Sequence, residues 1–577
     1  MRRTVAVSLI PLTFLLGCSR PDKATDKAAV IGAPVQGDWV IVRYESEPDV
    51  LNPLLQRATV SGSALYGVNS SQIYEFLMAY DPQTWSMTKP LLVEGPPEIS
   101  ADHLMYTFKA RDGVKWHDGR PFIAEDILFT FKAAMCPLVD SGNLRTYLTD
   151  LKDVQLEGRT IRFVMREPNV FDRFNIVSAL AILPKHVFDP EGLLDGFGFK
   201  DIIGPKGKTD PKIKQFAEQF NTHPSNRAPI GTGPYKFEKW DTGREIVLAR
   251  NNDYWGQKAY LDKIVIRIIR DYPAALTALK AGEVDLMSRL LPVQYAQQTS
   301  GPAFDEQFVR TKYSIPGYSW IGWNEERPFF KDKRVRQALT MLLDRQSLID
   351  KVRYGLGAIG IGPVNVSSRD FNLNIKPWPY DPRRAVKLLE EAGWTDHDGD
   401  GIRDKDGVKF SFEFMGGANS SMLLALLREE FRKAGIEMTE RVVEFNVLAA
   451  AVREHRFDAT SLGWSIDLTQ DPYQIWHSSS ASNDGSNYIS FKNAESDRLI
   501  EQARKEFDDE KRKQIYWRWQ ELIHEEQPYT FLYYQEEAAA YSKRFQNVTW
   551  WPLRPGYDLT SWFVPKGLQK YGTTPAP

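Results

Sequence analysis

A chain of 577 residues is too long for one small core, and its length points to about two to four lobes. Hydrophobic residues at 42% and charged residues at 26% are ordinary for a soluble globular protein, and a net charge of -2 from 73 basic and 75 acidic residues gives no electrostatic reason to expect nucleic acid. Two cysteines, Cys18 and Cys136, exclude a disulfide scaffold, and the 16 tryptophans suit a cleft that grips ligands by stacking, although a large core accounts for most of them.

The first element is an export signal. Arg2 and Arg3 precede a nearly apolar run over 4–16 that is too short for a comfortable permanent membrane span. The run ends in Leu15-Leu16-Gly17-Cys18, which resembles the lipobox of bacterial lipoproteins. That resemblance implies cleavage before Cys18 and acylation of its thiol, with several acyl chains giving stable anchoring. Residues 19–36 are small and polar and read as a flexible tether. No other stretch approaches 18 apolar residues, so the mature chain is expected to be tethered rather than membrane-spanning.

Beyond the tether, strands and helices alternate, as in an α/β or α+β chain. "DWVIVRY" is a short strand turning at Glu47-Pro48-Asp49, and "MYTFKARDGVKWHDG" alternates as a strand before two Asp-Gly turns. "AEDILFTFKAAM" has helical spacing at Ile127, Phe131 and Ala134. "GTGPYKFEKWDTGREIVLARN" reads as two strands around Thr242-Gly243, and "YPAALTALKAGEVDLM" as a helix ending at Gly282 and then a strand. "KRVRQALTMLLDRQSLIDKV" is predicted as one long amphipathic helix. "YDPRRAVKLLEEAGW" is another, with Asp381 as N-cap, Pro382 in the first turn and Gly393 at the C-terminal cap. "SDRLIEQARKEFDDEKRKQIYWRWQELIHEE" gives two helices separated near Asp508-Asp509.

These segments together resemble the family 5 extracellular solute-binding proteins, the oligopeptide- and dipeptide-binding receptors of ABC importers. The resemblance covers roughly residues 38–565 and is most specific in "SADHLMYTFKARDGVKWHDGRPFIAEDILFTF" (100–131) and "GTGPYKFEKWDTGREIVLARNNDYWG" (231–256). "LTALKAGEVDLM", "NEERPFFKDKRVRQALTMLLDRQSLI", "YDPRRAVKLLEEAGW" and "FDATSLGWSIDLTQDP" (457–472) follow in the family's order. The implied fold is α/β, periplasmic-binding-protein-like of type II, with two large lobes and an extra domain around one ligand cleft. By analogy, 1–17 is the signal peptide, 18–37 the lipidated cysteine and tether, and 38–80, 225–312 and 530–577 the discontinuous domain I. The extra domain II is 81–224 and domain III is 313–529. The family also implies lobes that hinge shut over the ligand, and a monomer that hands solute to ABC permease subunits and, through them, to an ATPase. The expected location is the periplasm or cell surface, with Cys18 as the membrane anchor and no nucleic-acid partner.

A receptor indifferent to peptide sequence must bind the ligand's ammonium, carboxylate and backbone, leaving side chains in roomy, wet pockets. Asp467 in "GWSIDLTQDP" stands where the family's peptide receptors keep the aspartate that meets the α-amino group; the alternative is an Asp that caps a turn. Trp464 resembles the family's cleft-wall aromatic, with core packing as its alternative. Backbone pairing with the ligand is expected near Ser461–Gly463 and Gly317–Trp323. Tyr318, Trp320 and Trp323 are candidate lining residues, although alternation turns about half of such positions to the core. Ser461 stands where the oligopeptide receptor has an arginine in its carboxylate-binding region, so peptide length and even peptide identity stay open. An oligosaccharide, an opine, a metal chelate or haem is the alternative solute, and a peptide sensor without import is the alternative role. No G-x-S-x-G, H-E-x-x-H or P-loop motif occurs, so the chain reads as a binding module rather than an enzyme.

"TDHDGDGIRDKDG" (395–407) has the spacing of a calcium loop. Its ligands would be Asp396, Asp398, Asp400 and Asp404, with the Ile402 carbonyl as a further one. Gly407 stands at the twelfth position instead of the bidentate Glu, and a strand follows instead of a helix, so the alternative is an Asp- and Gly-supported turn. A structural calcium is the one metal suggested, and no cofactor is required.

Overall fold

The computed structural model describes residues 32–56, 59–66, 72–81, 86–178, 180–417, 420–466, 471–482, 485–553 and 555–572. Cys18 and Asp467 lie outside the described residues.

Strand β1 (Trp39–Tyr44) opens the large sheet. The chain then leaves it to build a small antiparallel sheet from β2 (Glu98–Ile99), β3 (Met105–Lys109), β4 (Leu151–Glu157) and β5 (Thr160–Met165), in the order β2-β3-β5-β4. Helix α1 (Ala124–Met135) lies between β3 and β4, and α2 (Asp172–Ser178) follows β5. Cys136, at the end of α1, is buried and free. The chain returns with β6 (Tyr235–Asp241), β7 (Glu245–Arg250), β8 (Lys263–Ile268), β9 (Leu286–Leu290) and the 16-residue β10 (Phe308–Trp323).

Next come α3 (Lys333–Met341), α4 (Arg345–Val352), β11 (Gly357–Ile359), α5 (Pro382–Glu391), β12 (Ser411–Gly417), α6 (Ser421–Lys433) and β13 (Glu437–Val443). They are followed by α7 (Phe445–Arg453), β14 (Ala459–Ser465), α8 (Ala494–Lys505), α9 (Asp509–Glu526) and β15 (Tyr529–Ser542). The large sheet has 11 strands in the order β13-β12-β14-β10-β15-β9-β1-β8-β7-β6, with β11 pairing β15 off this path. It is mixed: β1 is parallel to β8 and β9, and β12 is parallel to β13 and β14, whereas β10 is antiparallel to β14 and β15.

Local chemistry explains the helix boundaries. The Asp381 carboxylate accepts the Arg384 amide at 3.0 Å and Gly393 sits at φ +89°, so α5 begins and ends where its caps require. The Asp508 carboxylate accepts the amides of Glu510 and Lys511, starting α9 after the break the sequence predicts. The single helix expected over 333–352 is two. Asp344 accepts the Ser347 amide at 2.9 Å and caps a new start, so the apolar periodicity runs on across a break in the backbone.

The large sheet carries two successive cores. Its β1–β8–β9 half is packed on both faces, with Val40 and Val42 in one cluster and Ile41 in another. Its β14–β12 half is likewise packed on both faces, with Trp320 in one cluster and Ile321 in another. Strands β10 and β15 belong to both halves. Along β15, Phe531 and Leu532 feed the second pair of clusters, and Ala538 and Ala539 the first pair. The β10–β15 ladder is irregular between Ser314 and Tyr318, at the point where one pair of cores gives way to the other. Gly317 stands there: a Cβ would lie 2.5 Å from the Trp464 carbonyl oxygen, so only glycine fits.

Candidate functional site

Because β12, β13 and β14 are parallel, their carboxyl ends Gly417, Val443 and Ser465 emerge on one side of the second lobe. That is the side where ligands collect in open α/β sheets. Strand β14 pairs with β10 so that Trp464 faces Tyr318, Gly463 faces Ser319, and Ser461 faces Ile321.

Trp464 is half-buried. Its indole lies between Tyr488 (centroids 5.4 Å apart, planes at 22°) and Trp320 (6.1 Å, 25°), and its N–H points to the Tyr529 hydroxyl at 3.4 Å. Trp320 continues the stack onto Tyr529 at 4.2 Å and 6°. Within this ladder Trp464 and Tyr488 keep part of their surface in solvent, whereas Trp320 is fully buried. The wall is thus a partly open indole on rigid backing.

The other expected residues divide by strand face. Tyr318 and Trp320 are buried in the cluster behind Trp464, so they back the wall rather than line it. Trp323 projects to the opposite face, where it packs against Phe330, Phe412 and Phe431 and its indole N–H donates to the Thr530 hydroxyl. A strand cannot present positions 318, 320 and 323 on one face, because odd and even positions alternate. The Ser461 hydroxyl donates to the Trp320 carbonyl at 3.0 Å, tying the two strands together. Asp467 lies in the undescribed 467–470. Its flanks are held: the Ile466 amide donates to the Pro316 carbonyl at 3.3 Å, and Asp471 meets Arg504 at 3.1 Å.

Sequence reasoning missed an apolar rim on the same side. Met422 at the start of α6, Val442 at the end of β13, and Phe445 and Val447 at the start of α7 are all at least half exposed. Isolated exposed apolar residues need no explanation, but four at the carboxyl ends of adjacent strands form a surface able to take apolar parts of a solute. The signal was in "RVVEFNVLAA", where large apolar residues begin α7 at positions a surface helix would give to polar ones.

The 395–407 loop is occupied by its own contacts. Asp396 accepts the amides of Gly399 and Gly401, Asp398 accepts that of Asp400, and Asp400 accepts that of Ile402. Asp404 takes the His397 amide at 3.0 Å and its ring at 2.8 Å. One oxygen each from Asp396, Asp398 and Asp404 lie within 4.8 Å of one another. Asp400 stands outside that group and pairs with Lys409, whose ammonium also approaches Asp398 at 3.3 Å. No helix among the described residues is long and apolar enough to cross a membrane.

Comparison with known proteins gives this architecture its relatives. Residues 88–486 match the bacterial extracellular solute-binding proteins, family 5, middle region. The chain is 30% identical to the oligopeptide-binding protein AppA of Bacillus subtilis over 573 residues, covering 97% of this chain and 98% of that one. It is 25% identical to heme-binding protein A of Haemophilus influenzae over 97% of this chain and 98% of that one. The structure of B. subtilis AppA in complex with a nonapeptide aligns with a TM-score of 0.72, covering 92% of this chain and all of that one. That of NikZ from Campylobacter jejuni in complex with Ni(L-His) aligns at 0.71, with 25% identity and coverage of 91% and 99%. A mixed sheet in two successive cores, the wall at the strand ends, and a family match over most of the folded chain agree: the chain belongs to the family 5 extracellular solute-binding proteins.

Proposed function

We propose that this chain is the substrate-binding lipoprotein of an ABC importer, capturing peptides outside the cytoplasmic membrane and delivering them to a permease by hinge closure. The observation that carries the reading is the half-open Trp464 wall at the carboxyl ends of parallel strands, next to the Gly317 irregularity where the two cores meet. A flat aromatic wall and an apolar rim take varied side chains without reading their sequence. Asp467 would supply the carboxylate for the ligand's amine, and Gly463 and Ser461 lie in the strand whose end would pair with its backbone. Similarity to an oligopeptide receptor over nearly the whole chain supports the same choice. Closing follows the ligand only through its greater affinity for the closed form.

Mass spectrometry of solutes co-purified with the mature protein tests the reading. Peptides are the expected find; a haem, a metal chelate or a sugar with no peptide would replace them as the cargo. The haem- and nickel-binding relatives make the chelate the second reading. Import is separated from sensing by uptake of labelled peptide, which should fall when the chain is deleted and would be unchanged if it only senses.

A further inference from the structure

Between β5 and α2, residues 166–171 leave the small sheet and touch the second lobe. The Val170 amide donates to the Arg504 carbonyl at 2.8 Å, and Val170 and Phe171 are buried in the cluster that holds Trp476 and Trp519. The ring of His103 stacks on Phe507 at 3.7 Å, and Arg173 donates to Asp509 at 2.9 Å. One cation, Arg504, serves the centre of this contact. Its Nε lies 3.1 Å from Asp471, and its Nη2 lies 3.7 Å from Asp150, which also accepts the Asn169 amide group at 3.1 Å.

Asp172, the first residue of α2, is 2% exposed, and its Oδ2 has no hydrogen-bond partner. The charged groups acting on it are Asp150 before β4, Glu167 after β5, Asp471, and Arg504 on α8. The Tyr106 hydroxyl of β3 faces it, with Arg173 near that hydroxyl. Tyr516 of α9 faces Asp471 and Arg504. Arg173 is drawn to Asp509, which Arg369 and Arg512 also hold, so among the described residues Arg504 is the cation that acts on Asp172.

We propose that this contact is a proton-coupled latch between the small sheet and the second lobe, in which Asp172 takes up a proton as the two surfaces dock. Burial, followed by the Asp150 carboxylate, holds the Asp172 carboxyl up at about 8, with Arg504 opposing. An undocked Asp172 returns to water and to the ordinary carboxylate value near 4. The raised value belongs to the docked form, so docking is fully stabilised below the undocked value and is lost as pH rises through the docked one. If hinge closure over a solute is correct, capture is tighter in mildly acid surroundings and release is eased at higher pH.

The test needs no ligand. Hydrogen exchange at the Val170 amide reads the docking equilibrium directly. After correction for the intrinsic pH dependence, its protection should fall at least tenfold from about pH 6 to about pH 8, within the limit of tenfold per pH unit for one proton. In Asp172→Asn it should stay high and flat, with amides of β8 reporting that the fold is intact. Should that variant lose protection in β8, Asp150→Asn takes its place: without the carboxylate that helps hold Asp172 up, its loss of protection should be smaller and end at lower pH. Protection that is absent or pH-independent in the unaltered protein, or that falls equally in Asp172→Asn, would overturn the latch. A protein that binds no peptide would sink the functional reading and leave this result readable.

Discussion

Trp464 shows how one side chain is made ready for a ligand. Its ring is held by Tyr488 on one side and Trp320 on the other, and its N–H is aimed at Tyr529, so little rotamer entropy is left to lose on binding. Trp464→Ala should weaken capture by about tenfold in calorimetry, the scale of one lost aromatic contact. Its mirror-image control is Trp323→Phe, on the far face, which should lower stability without changing affinity. Asp467→Ala should cost at least tenfold in peptide affinity, because a desolvated amine left without its carboxylate loses about 2–5 kcal/mol. Unchanged affinity would move the amine site elsewhere. The motif around 464–467 names these residues as candidates, but which tryptophan is open is not legible in it. Alternation fixes only that 320 and 323 face opposite ways, and distant packing partners, Tyr529 for Trp320 and Phe412 and Phe431 for Trp323, decide that both are covered.

At the scale of elements, the ladder between β10 and β15 carries two lobes in one sheet. Gly317→Ala should destabilise the protein by about 1–3 kcal/mol, since its Cβ meets the Trp464 carbonyl, and should disturb capture through the same strand. A second element-level device is invisible in the sequence. Arg544, after β15, lies between Asp38 and Asp285, meeting Asp285 at 2.8 Å, with all three buried. It bolts the C-terminal segment to the start of β1. Arg544→Ala leaves two buried carboxylates uncompensated and should cost about 3–5 kcal/mol, read as a lower melting temperature. The 395–407 loop gives the reverse case, where a motif reads more strongly in sequence than in space. Lys409 already sits on Asp398 and Asp400, and the carboxylates are spent on turn amides, which favours a plain turn over a calcium staple. A melting temperature unmoved by calcium or EDTA is the expected result, and a clear rise with calcium would restore the staple.

For the whole molecule, anchoring and closure are separate questions. If Cys18 is acylated, Cys18→Ser should shift the protein from the detergent phase to the aqueous phase in phase separation and leave solute affinity unchanged. The small sheet meets the second lobe through the contact of 166–173 with α8 and α9, where the Val170 amide donates to the Arg504 carbonyl and Arg173 donates to Asp509.

What the sequence determined by itself was the family, the alternation of elements, the caps of α5 and α9, and the segment where capture is expected. Each of these depends on neighbours within a few residues or on motifs in a set order. Only the tertiary structure decided the rest. It split 333–352 into two helices, assigned one tryptophan to the wall and two to the core, and gathered four exposed apolar residues at adjacent strand ends. It also brought Asp150, Asp172 and Asp471 around a single arginine. The last of these turns on residues more than 300 positions apart sharing one low-dielectric space, and local patterning carries no information about that.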